Sequence, residues 1–280
     1  RKGIKILDRV TCLALAACGE ALTQAGLPAP ESSTDRFGVV SATTNASLKS
    51  VTGYSRATLV EARPYLVNAM LFPNTVMNCA AGQAAIRFGL RGPNATIAGA
   101  DLAGIQALHY ARNLARRDYH VMVFGAEEMT DEYRALHAHS RASAARAIEG
   151  GVAAVLTARP DAAGARLVSS AVVTRMAARG ESSRDAVMRC LRAAGADDVD
   201  LAVSVAPLER DAASALEATV PAVLDLTERA DFLRSGQGLL GLGVAAAMLA
   251  SREGPRRIAL VGQGNGDQFG AVLVEGTEEP

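Results

Sequence analysis

The chain has 280 residues, and its 29 basic and 29 acidic residues leave a formal net charge of zero. Because the two signs are spread along the sequence, no basic face of the kind that nucleic-acid binding requires is expected. Apolar residues make up 49% of the chain and aromatic residues only 4%, with 26 glycines. This composition predicts an α/β protein in which helices rich in Ala, Val and Leu pack closely on sheets.

The cysteines are Cys12, Cys18, Cys79 and Cys190, and none of them forms a metal-binding CxxC motif with another. We interpret them as small buried residues of a protein in a reducing compartment, and we expect a cytoplasmic location. No apolar run reaches the ~20 residues of a membrane span, and no signal peptide is recognisable. We therefore expect neither a membrane nor a nucleic acid as a partner.

Strands and helices alternate in the first half of the chain, which we place at residues 1–158. Apolar residues at helical spacing predict a helix from Leu7 to Ala25, which Gly26 ends. A buried strand, Phe37–Ser41, follows. Further helices are predicted at 47–60, 75–88 and 102–116, and further strands at 96–98, 120–124 and 151–156.

The second half, residues 159–280, repeats this order. Helices are predicted at 186–194 and 236–249, and strands at 201–205, 222–226, 257–261 and 271–274. Each half contains a helix, an Ala-Gly stop, an acidic segment and a buried strand. Continuous apolar strands joined by helices indicate sheets that are covered on both faces. We predict one domain, 1–280, made of two similar halves.

A turn between the strand at 96–98 and the next helix places one side chain at a helix N-terminus. Small residues, Gly99 and Ala100, break the strand there, and Asp101 follows them. In an acyl-transfer enzyme the residue at such a turn would be a cysteine, activated by the helix dipole. Here it is a carboxylate, so the frame of an acyltransferase is present without its reactive atom.

Several segments resemble the β-ketoacyl synthases of fatty-acid and type II polyketide assembly. The most specific likeness is Phe72–Thr75, Asn78, Ile86–Arg87 and Gly89–Asn94, which resemble the family's segment ahead of the nucleophile. The resemblance implies the duplicated thiolase-like fold, with mixed sheets and helices in αβαβα layers. The chain is a shortened version, since the family's N-terminal strand and much of its middle are absent. Weaker likeness covers Leu7–Leu27, Val123–Glu128, Gly151–Leu156 and Gly236–Ala247.

The resemblance also implies where the catalytic residues would lie. The nucleophilic cysteine falls on Asp101, and the segment of the first histidine, Val203–Leu208, contains no histidine. The second histidine falls on Gln237 and the lysine on Phe232. The closing glycine-rich loop has become Gly264–Asp267. We therefore predict a catalytically degenerate member of the family, with no catalytic residues of its own.

The lost residues decide which chemistry remains. Decarboxylative condensation needs a thiolate to accept the acyl chain, and two imidazole donors to stabilise the enolate and the oxyanion. Gln237 could donate a hydrogen bond but cannot exchange protons. The carboxylate of Asp101 would be stabilised at a helix N-terminus and would be a weak nucleophile. We predict that the chain alone does not elongate acyl groups.

Two interpretations of Asp101 remain open. It could cap the following helix, a contribution of roughly 1 kcal/mol. Alternatively, it could be a functional carboxylate at a subunit boundary, because in the family the strand before the nucleophile pairs across the dimer axis. A buried charge at that place needs a donor. We expect a backbone or basic group of the partner to supply it.

The degenerate site and the retained dimer segment predict a chain-length factor, the non-catalytic subunit of a type II polyketide ketosynthase. Its partners would be an active ketosynthase and, through the complex, an acyl carrier protein. The Asp and the short length favour the highly reducing, polyene-forming branch. No cofactor and no metal are expected. The predicted interface and tunnel residues are Phe72, Asn74, Met77, Asn78, Thr96, Ile97, Ala98, Gly99, Ala100 and Asp101.

Alternatives remain for several of these assignments. Phe72 and Met77 could instead be ordinary core residues, whereas the amides of Asn74 and Asn78 need defined hydrogen bonds. His137 and His139 form either a metal-binding pair or, as we favour, part of a solvated loop. The chain could also be a decarboxylase or acyl hydrolase with a remodelled site. A third hypothesis is a homodimeric module that binds acyl chains or carrier proteins.

Overall fold

The computed structural model describes residues 6–27, 35–137, 148–159, 164–229, 233–251 and 253–277. Its helices are α1 Arg9–Gln24, α2 Leu48–Val60, α3 Cys79–Phe88, α4 Ala103–Ala115, α5 Asp131–His137, α6 Ser183–Ala193, α7 Arg210–Thr219, α8 Leu226–Arg229 and α9 Gln237–Leu249. Its strands are β1 Phe37–Thr43, β2 Asn94–Ala98, β3 His120–Glu127, β4 Gly150–Leu156, β5 Ala165–Thr174, β6 Leu201–Ser204, β7 Val223–Asp225, β8 Arg257–Gln263 and β9 Gln268–Gly276. Short 3₁₀ helices include Ala69–Thr75, Ala100–Leu102 and Arg234–Gly236.

Two mixed sheets form the framework. The first has four strands in the order β2-β1-β3-β4, and the second has five in the order β5-β9-β8-β6-β7. In the first sheet β1 is parallel to β2 and β3, whereas β4 is antiparallel to β3. In the second, β6 is parallel to β7 and β8, and β9 is antiparallel to both β8 and β5.

The main core lies between the sheets, around α4 and α9. Helix α4 contributes Ile105 and Leu108, and α9 contributes Leu239, to one cluster with strand residues of both sheets. Smaller clusters cover the outer faces, where α1 and α3 pack on the first sheet and α6 and α7 on the second. Helix–sheet–helix–sheet–helix layering follows, as the sequence predicts.

Local sequence explains where the helices begin and end. Oδ1 of Asp8 accepts a hydrogen bond of 2.8 Å from the backbone N–H of Thr11, which caps α1. Ser182 and Asp185 form a capping box at the start of α6. Gly89 ends α3 with φ 66°, a left-handed conformation that glycine adopts without steric cost.

The predicted elements are found with shifted boundaries. The helix predicted at 75–88 begins at Cys79, because residues 69–75 form a 3₁₀ helix that contains Pro73. Strand β5 and helix α7 were not predicted. The expectation of buried cysteines is correct for Cys18 and Cys190, whose pKa values burial raises to about 12. Cys12 and Cys79 are only partly buried. No described helix has the length and apolar character to cross a membrane.

Candidate functional site

Asp101 lies at the junction of β2 and α4, inside the 3₁₀ turn Ala100–Leu102. The residue before it, Ala100, has φ 49°, a left-handed conformation that is uncommon outside glycine. Asp101 is buried, with only 6% of its surface exposed. The N-cap positions of the turn and of α4 belong to Gly99 and Leu102, and neither helix has a side-chain cap. The helix-cap interpretation of Asp101 is therefore wrong.

The charge of Asp101 is balanced inside the same chain. Nη2 of Arg234 lies 2.8 Å from Oδ1 of Asp101. Arg234 is 8% exposed and belongs to the 3₁₀ turn that precedes α9. A basic group of the same chain therefore already serves as a donor to this carboxylate, and a further donor from a partner subunit stays a prediction. This ion pair joins the turn before α4 to the turn before α9.

Glu127, at the end of β3, lies next to the ion pair. Its Oε1 accepts hydrogen bonds from the backbone N–H of Thr44 at 3.1 Å, from Oγ1 of Thr44 at 2.7 Å and from Oγ of Ser235. Burial raises the pKa of Glu127, and the hydrogen bonds and the charge of Arg234 only partly oppose that rise. Burial also raises the pKa of Tyr133 to about 12. Burial thus disfavours the charged form of each group.

Gln237, at the position of the second histidine, is fully buried. Its Oε1 accepts a hydrogen bond of 2.9 Å from the backbone N–H of Leu233, and its Nε2 donates to the carbonyl of Leu226 at 3.3 Å. The side chain thus holds together the backbone on both sides of residues 230–232. Phe232, which corresponds to the family's lysine, lies outside the described residues.

A cleft of about 360 Å³ opens above Asp101. It brings together three segments that the resemblance assigns to the active site: the turn at Asp101, the end of Val203–Leu208 and the loop Gly264–Asp267. No cysteine, histidine or lysine is among the described residues that line it. The lining residues are Asp101, Arg175, Pro207, Leu208, Glu209, Gln263, Gly264, Asn265, Gly266 and Asp267.

A polar network at the rim of this cleft was not predicted from the sequence. Arg175 contacts Asp267 through Nε at 2.7 Å and Glu209 through Nη1 at 3.2 Å. Nε2 of Gln263 donates to Glu209 at 2.9 Å. A hydrogen bond from Ser183 is the main reason why the pKa of Glu209 lies below its ordinary value. These residues are distant in sequence and form no motif, so no local signal could have found them.

The predicted interface residues differ in their exposure. Phe72 is 53% exposed and Met77 is 47% exposed, so the core-packing alternative is wrong for both. Asn74 is buried, and its Nδ2 donates to the carbonyl of Ile6 at 2.7 Å, as expected of a polar group in an apolar setting. Asn78 is exposed and makes no side-chain cap for α3.

Strand β2 carries the remaining interface predictions, Thr96, Ile97 and Ala98. It lies at the edge of its sheet, and among the described residues it pairs only with β1. Oγ1 of Thr96 accepts a hydrogen bond from Oγ of Ser41 at 2.9 Å. Gly99 and Ala100 continue into the turn at Asp101. Whether the interface and tunnel roles hold stays a prediction.

The two histidines whose side chains the structure describes, His109 and His120, do not line the cleft. Nδ1 of His109 lies 3.0 Å from Oγ of Ser170, between α4 and β5. Burial lowers the pKa of His120. His139 and the side chain of His137 lie outside the described residues, so the metal-pair alternative is untested. Across the part of the chain that is described, no group of three or more His, Cys, Asp or Glu could hold a metal ion.

The sequence of the chain is similar to those of known proteins. Residues 2–165 match the family described as "Beta-ketoacyl synthase, N-terminal domain". The chain is 33% identical over 130 residues to 3-oxoacyl-[acyl-carrier-protein] synthase 2 of Vibrio cholerae, a match that covers 46% of this chain and 31% of that protein. It is 33% identical over 93 residues to nodulation protein E of Rhizobium sp. (strain N33), covering 33% of this chain and 23% of that protein. Each match thus spans less than a third of the curated relative.

Solved structures extend the likeness over nearly the whole chain. A chain of "The ishigamide ketosynthase/chain length factor" superimposes with a TM-score of 0.80 and 28% identity, covering 99% of this chain and 83% of that one. A β-ketoacyl synthase from Burkholderia phymatum STM815 gives a TM-score of 0.80 at 16% identity, covering 99% and 85%. The second comparison supports the fold alone. The thiolase-like ketosynthase fold predicted from the sequence is confirmed.

Proposed function

The chain belongs to the β-ketoacyl synthase family, and we propose that within it the chain is a non-catalytic chain-length-factor subunit that pairs with an active ketosynthase. The observation that carries the proposal is the buried ion pair of Asp101 with Arg234, at the position where a condensing enzyme has its nucleophile. The likeness to a ketosynthase/chain length factor structure at 28% identity supports the same assignment.

The chemistry of the cleft favours a subunit without condensing activity. Condensation requires a thiolate and proton-exchanging imidazoles, and the described lining offers neither. A carboxylate that is buried against a guanidinium is stabilised as an anion and is a poor nucleophile. The amide of Gln237 is engaged with backbone groups at both of its polar atoms. These contacts also argue against a decarboxylase or hydrolase that uses Asp101 or Gln237.

The exposed side of the first half offers the surface for the partner. Helix α2 has no buried residue, although a surface helix of a globular protein normally buries an apolar stripe. Helix α2 contacts the 3₁₀ helix Ala69–Thr75, and both carry exposed apolar side chains, a feature that marks interaction sites. The open edge of β2 lies in the same half, and we assign both to the ketosynthase interface. The exposed apolar residues are Leu59, Val60, Tyr65, Leu66, Met70, Leu71, Phe72, Val76, Met77 and Ile86.

In this assignment the partner supplies the nucleophile and receives acyl and malonyl groups from an acyl carrier protein. This chain completes the dimer and shapes the far end of the acyl tunnel. The aspartate at position 101 favours the highly reducing, polyene-forming branch of type II systems. The carrier protein then contacts this chain only through the complex.

Co-expression with the ketosynthase encoded beside it tests the proposal. We expect a one-to-one heterodimer by native mass, and no release of carbon dioxide from malonyl-carrier protein by this chain alone. Met70→Asp should abolish the heterodimer, because Met70 is 64% exposed within the proposed interface. Met176→Asp is the matched control, since Met176 is 43% exposed but lies in the second half. A homodimer that ignores the ketosynthase, or decarboxylation by the chain alone, would contradict the proposal.

A further inference from the structure

Two turns with unusual backbone conformations meet at the Asp101–Arg234 ion pair. Ala100, next to Asp101, has φ 49°, and Arg234 itself has φ 44°. Neither is a glycine, so each turn is held in a region that side chains normally avoid. Such conformations persist only where the surrounding structure fixes them, and they concentrate at functional sites. The ion pair is thus the contact point of two constrained turns from different halves of the molecule.

Close backbone packing leaves the turn at Arg234 little freedom. A Cβ added to Gly104 would lie 2.8 Å from the carbonyl oxygen of Ser235, and one added to Gly125 would lie 2.7 Å from Cα of Gly236. Both distances are shorter than real Cβ contacts allow. The segment after Arg234 is therefore clamped between the start of α4 and strand β3. This packing fixes the backbone next to Arg234, whose guanidinium reaches Asp101.

Among the described acidic groups near Arg234, Asp101 is the one whose carboxylate pairs with the guanidinium. Of the two nearby carboxyl groups, Glu127 accepts hydrogen bonds from the hydroxyl groups of Thr44 and Ser235, and burial raises its pKa. Asp101 makes the direct ion pair. Asp101 also lines the cleft, whereas Arg234 is not part of its lining and lies behind Asp101. The cleft therefore ends at a carboxylate that is backed by a fixed, buried cation.

We propose that Arg234 is a positioning residue that holds residue 101 as an anion and thereby closes the cleft of this subunit to acyl chains. An alkyl chain passing this point would have to separate the pair and leave both charges desolvated, which is costly. The proposal rests on the proposed function, since a closed cleft suits a subunit whose partner alone carries the growing chain. Small polar reagents can still reach position 101 from the cleft.

An Asp101→Cys variant tests the anion site directly. A thiol beside a fixed guanidinium should ionise below the ordinary cysteine value of about 8.5. We expect its thiolate absorbance and its alkylation by iodoacetamide to rise at a pH about one unit lower than in Asp101→Cys/Arg234→Met. Peptide mapping separates this residue from Cys18 and Cys190, which serve as unreactive references. Equal titration midpoints in the two variants would overturn the proposal.

A pair of alkylating reagents tests the closure. In each reaction the thiolate sulfur displaces iodide from carbon, so only access differs between iodoacetamide and an iodoacetamide that carries a long N-alkyl chain. The measured quantity is the rate of alkylation by the long-chain reagent divided by the rate with iodoacetamide. We expect this ratio to rise about tenfold when Arg234→Ala is added to Asp101→Cys, because the side chain behind position 101 is then removed. An unchanged ratio would contradict the closure, even if the anion site is real.

These measurements are separable from the test of the proposed function. The full chain is used, and the thermal transition of each variant is recorded before labelling. Because Asp101→Cys and Arg234→Met each replace a charged side chain by a neutral one, the double variant leaves no unpaired charge of the original pair in the core. Titration and labelling report on this chain alone, whereas heterodimer formation is read from native mass. Failure to pair with a ketosynthase would therefore leave the labelling result intact.

Discussion

The two sheets of the molecule have the same strand order, except that one strand has no counterpart. Starting from β2 in one sheet and from β7 in the other, the strand orders β2-β1-β3-β4 and β7-β6-β8-β9 correspond. The parallel and antiparallel pairings along these two series are also the same. Beyond β9 lies β5, whereas β4 has no outer neighbour among the described residues. In β9 residues Phe269–Val274 are buried, but every residue of β4 is half-buried. Strand composition does not explain this difference, because β4 is entirely uncharged and apolar.

The ion pair of Asp101 and Arg234 links the two halves in addition to the core that they share. Arg234→Met leaves the carboxylate of Asp101 buried without its cation, and should lower the free energy of unfolding by ~3–5 kcal/mol. Adding Asp101→Asn should restore at least half of that loss, since the remaining polar group is neutral. Equilibrium denaturation in urea measures both. Equal stability of the single and double variants would show that the pair does not join the halves.

Turnover by the assembled complex gives the second readout of the same pair. In the proposed heterodimer, Asp101→Ala should reduce condensation, because the turn that follows β2 then loses its fixed contact. Native mass distinguishes this effect from a loss of assembly. Unchanged turnover together with unchanged dimer stability would contradict a functional role of Asp101.

Matched valine deletions compare the two antiparallel strands. Val272→Ala in β9 removes methyl groups from a fully buried position, and should cost roughly 2 kcal/mol. Val155→Ala in β4 removes the same groups from a half-buried strand, and should cost less than about 1 kcal/mol. Denaturation midpoints of the two variants test the difference. Equal costs would mean that a partner covers the outer edge of β4 in solution.

The smallest effects concern pH, and they have opposite signs in the two halves. The pKa of Glu127 is raised above 4.5, so its contribution to stability is present below that value and is lost as pH rises through the folded-state pKa. The pKa of Glu209 is lowered, so its contribution is present above 4.5 and is lost as pH falls. Glu127→Gln should therefore reduce the loss of stability as pH rises above 4.5. Glu209→Gln should reduce the loss of stability as pH falls below that value.

Thermal unfolding at a series of pH values measures these slopes. Because Glu209 is partly exposed and accessible to salt, its effect should shrink as ionic strength rises. The effect of Glu127 should persist, since its carboxyl group is buried. Identical salt dependence for the two variants would contradict the difference in burial.

The elements that the sequence predicts well have a strong periodic pattern. Helices α1 and α4 and strand β3 follow from apolar spacing, because their faces are buried in a regular way. Strand β5 was not predicted, because Ser169 and Ser170 interrupt its run of apolar residues. It lies at the edge of its sheet. The shift of α3 has a local cause, Pro73, that favours the 3₁₀ helix before it.

The candidate site was predictable only in part. Asp101 and Gln237 were found through the family resemblance, since both occupy positions of known chemistry. Arg234 carries no such signal, because its role depends on how two distant turns meet. The same holds for the network around Arg175. Contacts between residues that are far apart in sequence need the topology of the sheets, which local patterns do not provide.

The outer edge of β4 has a consequence for how the isolated protein behaves at high concentration. Its seven residues, Gly150–Leu156, carry no charge and no proline, which are the features that normally prevent edge-to-edge joining of sheets. A second copy can offer the same row of peptide groups, so the described surface permits strand pairing between molecules. Light scattering by the purified chain should therefore increase with concentration, and a lysine in β4 should suppress that increase.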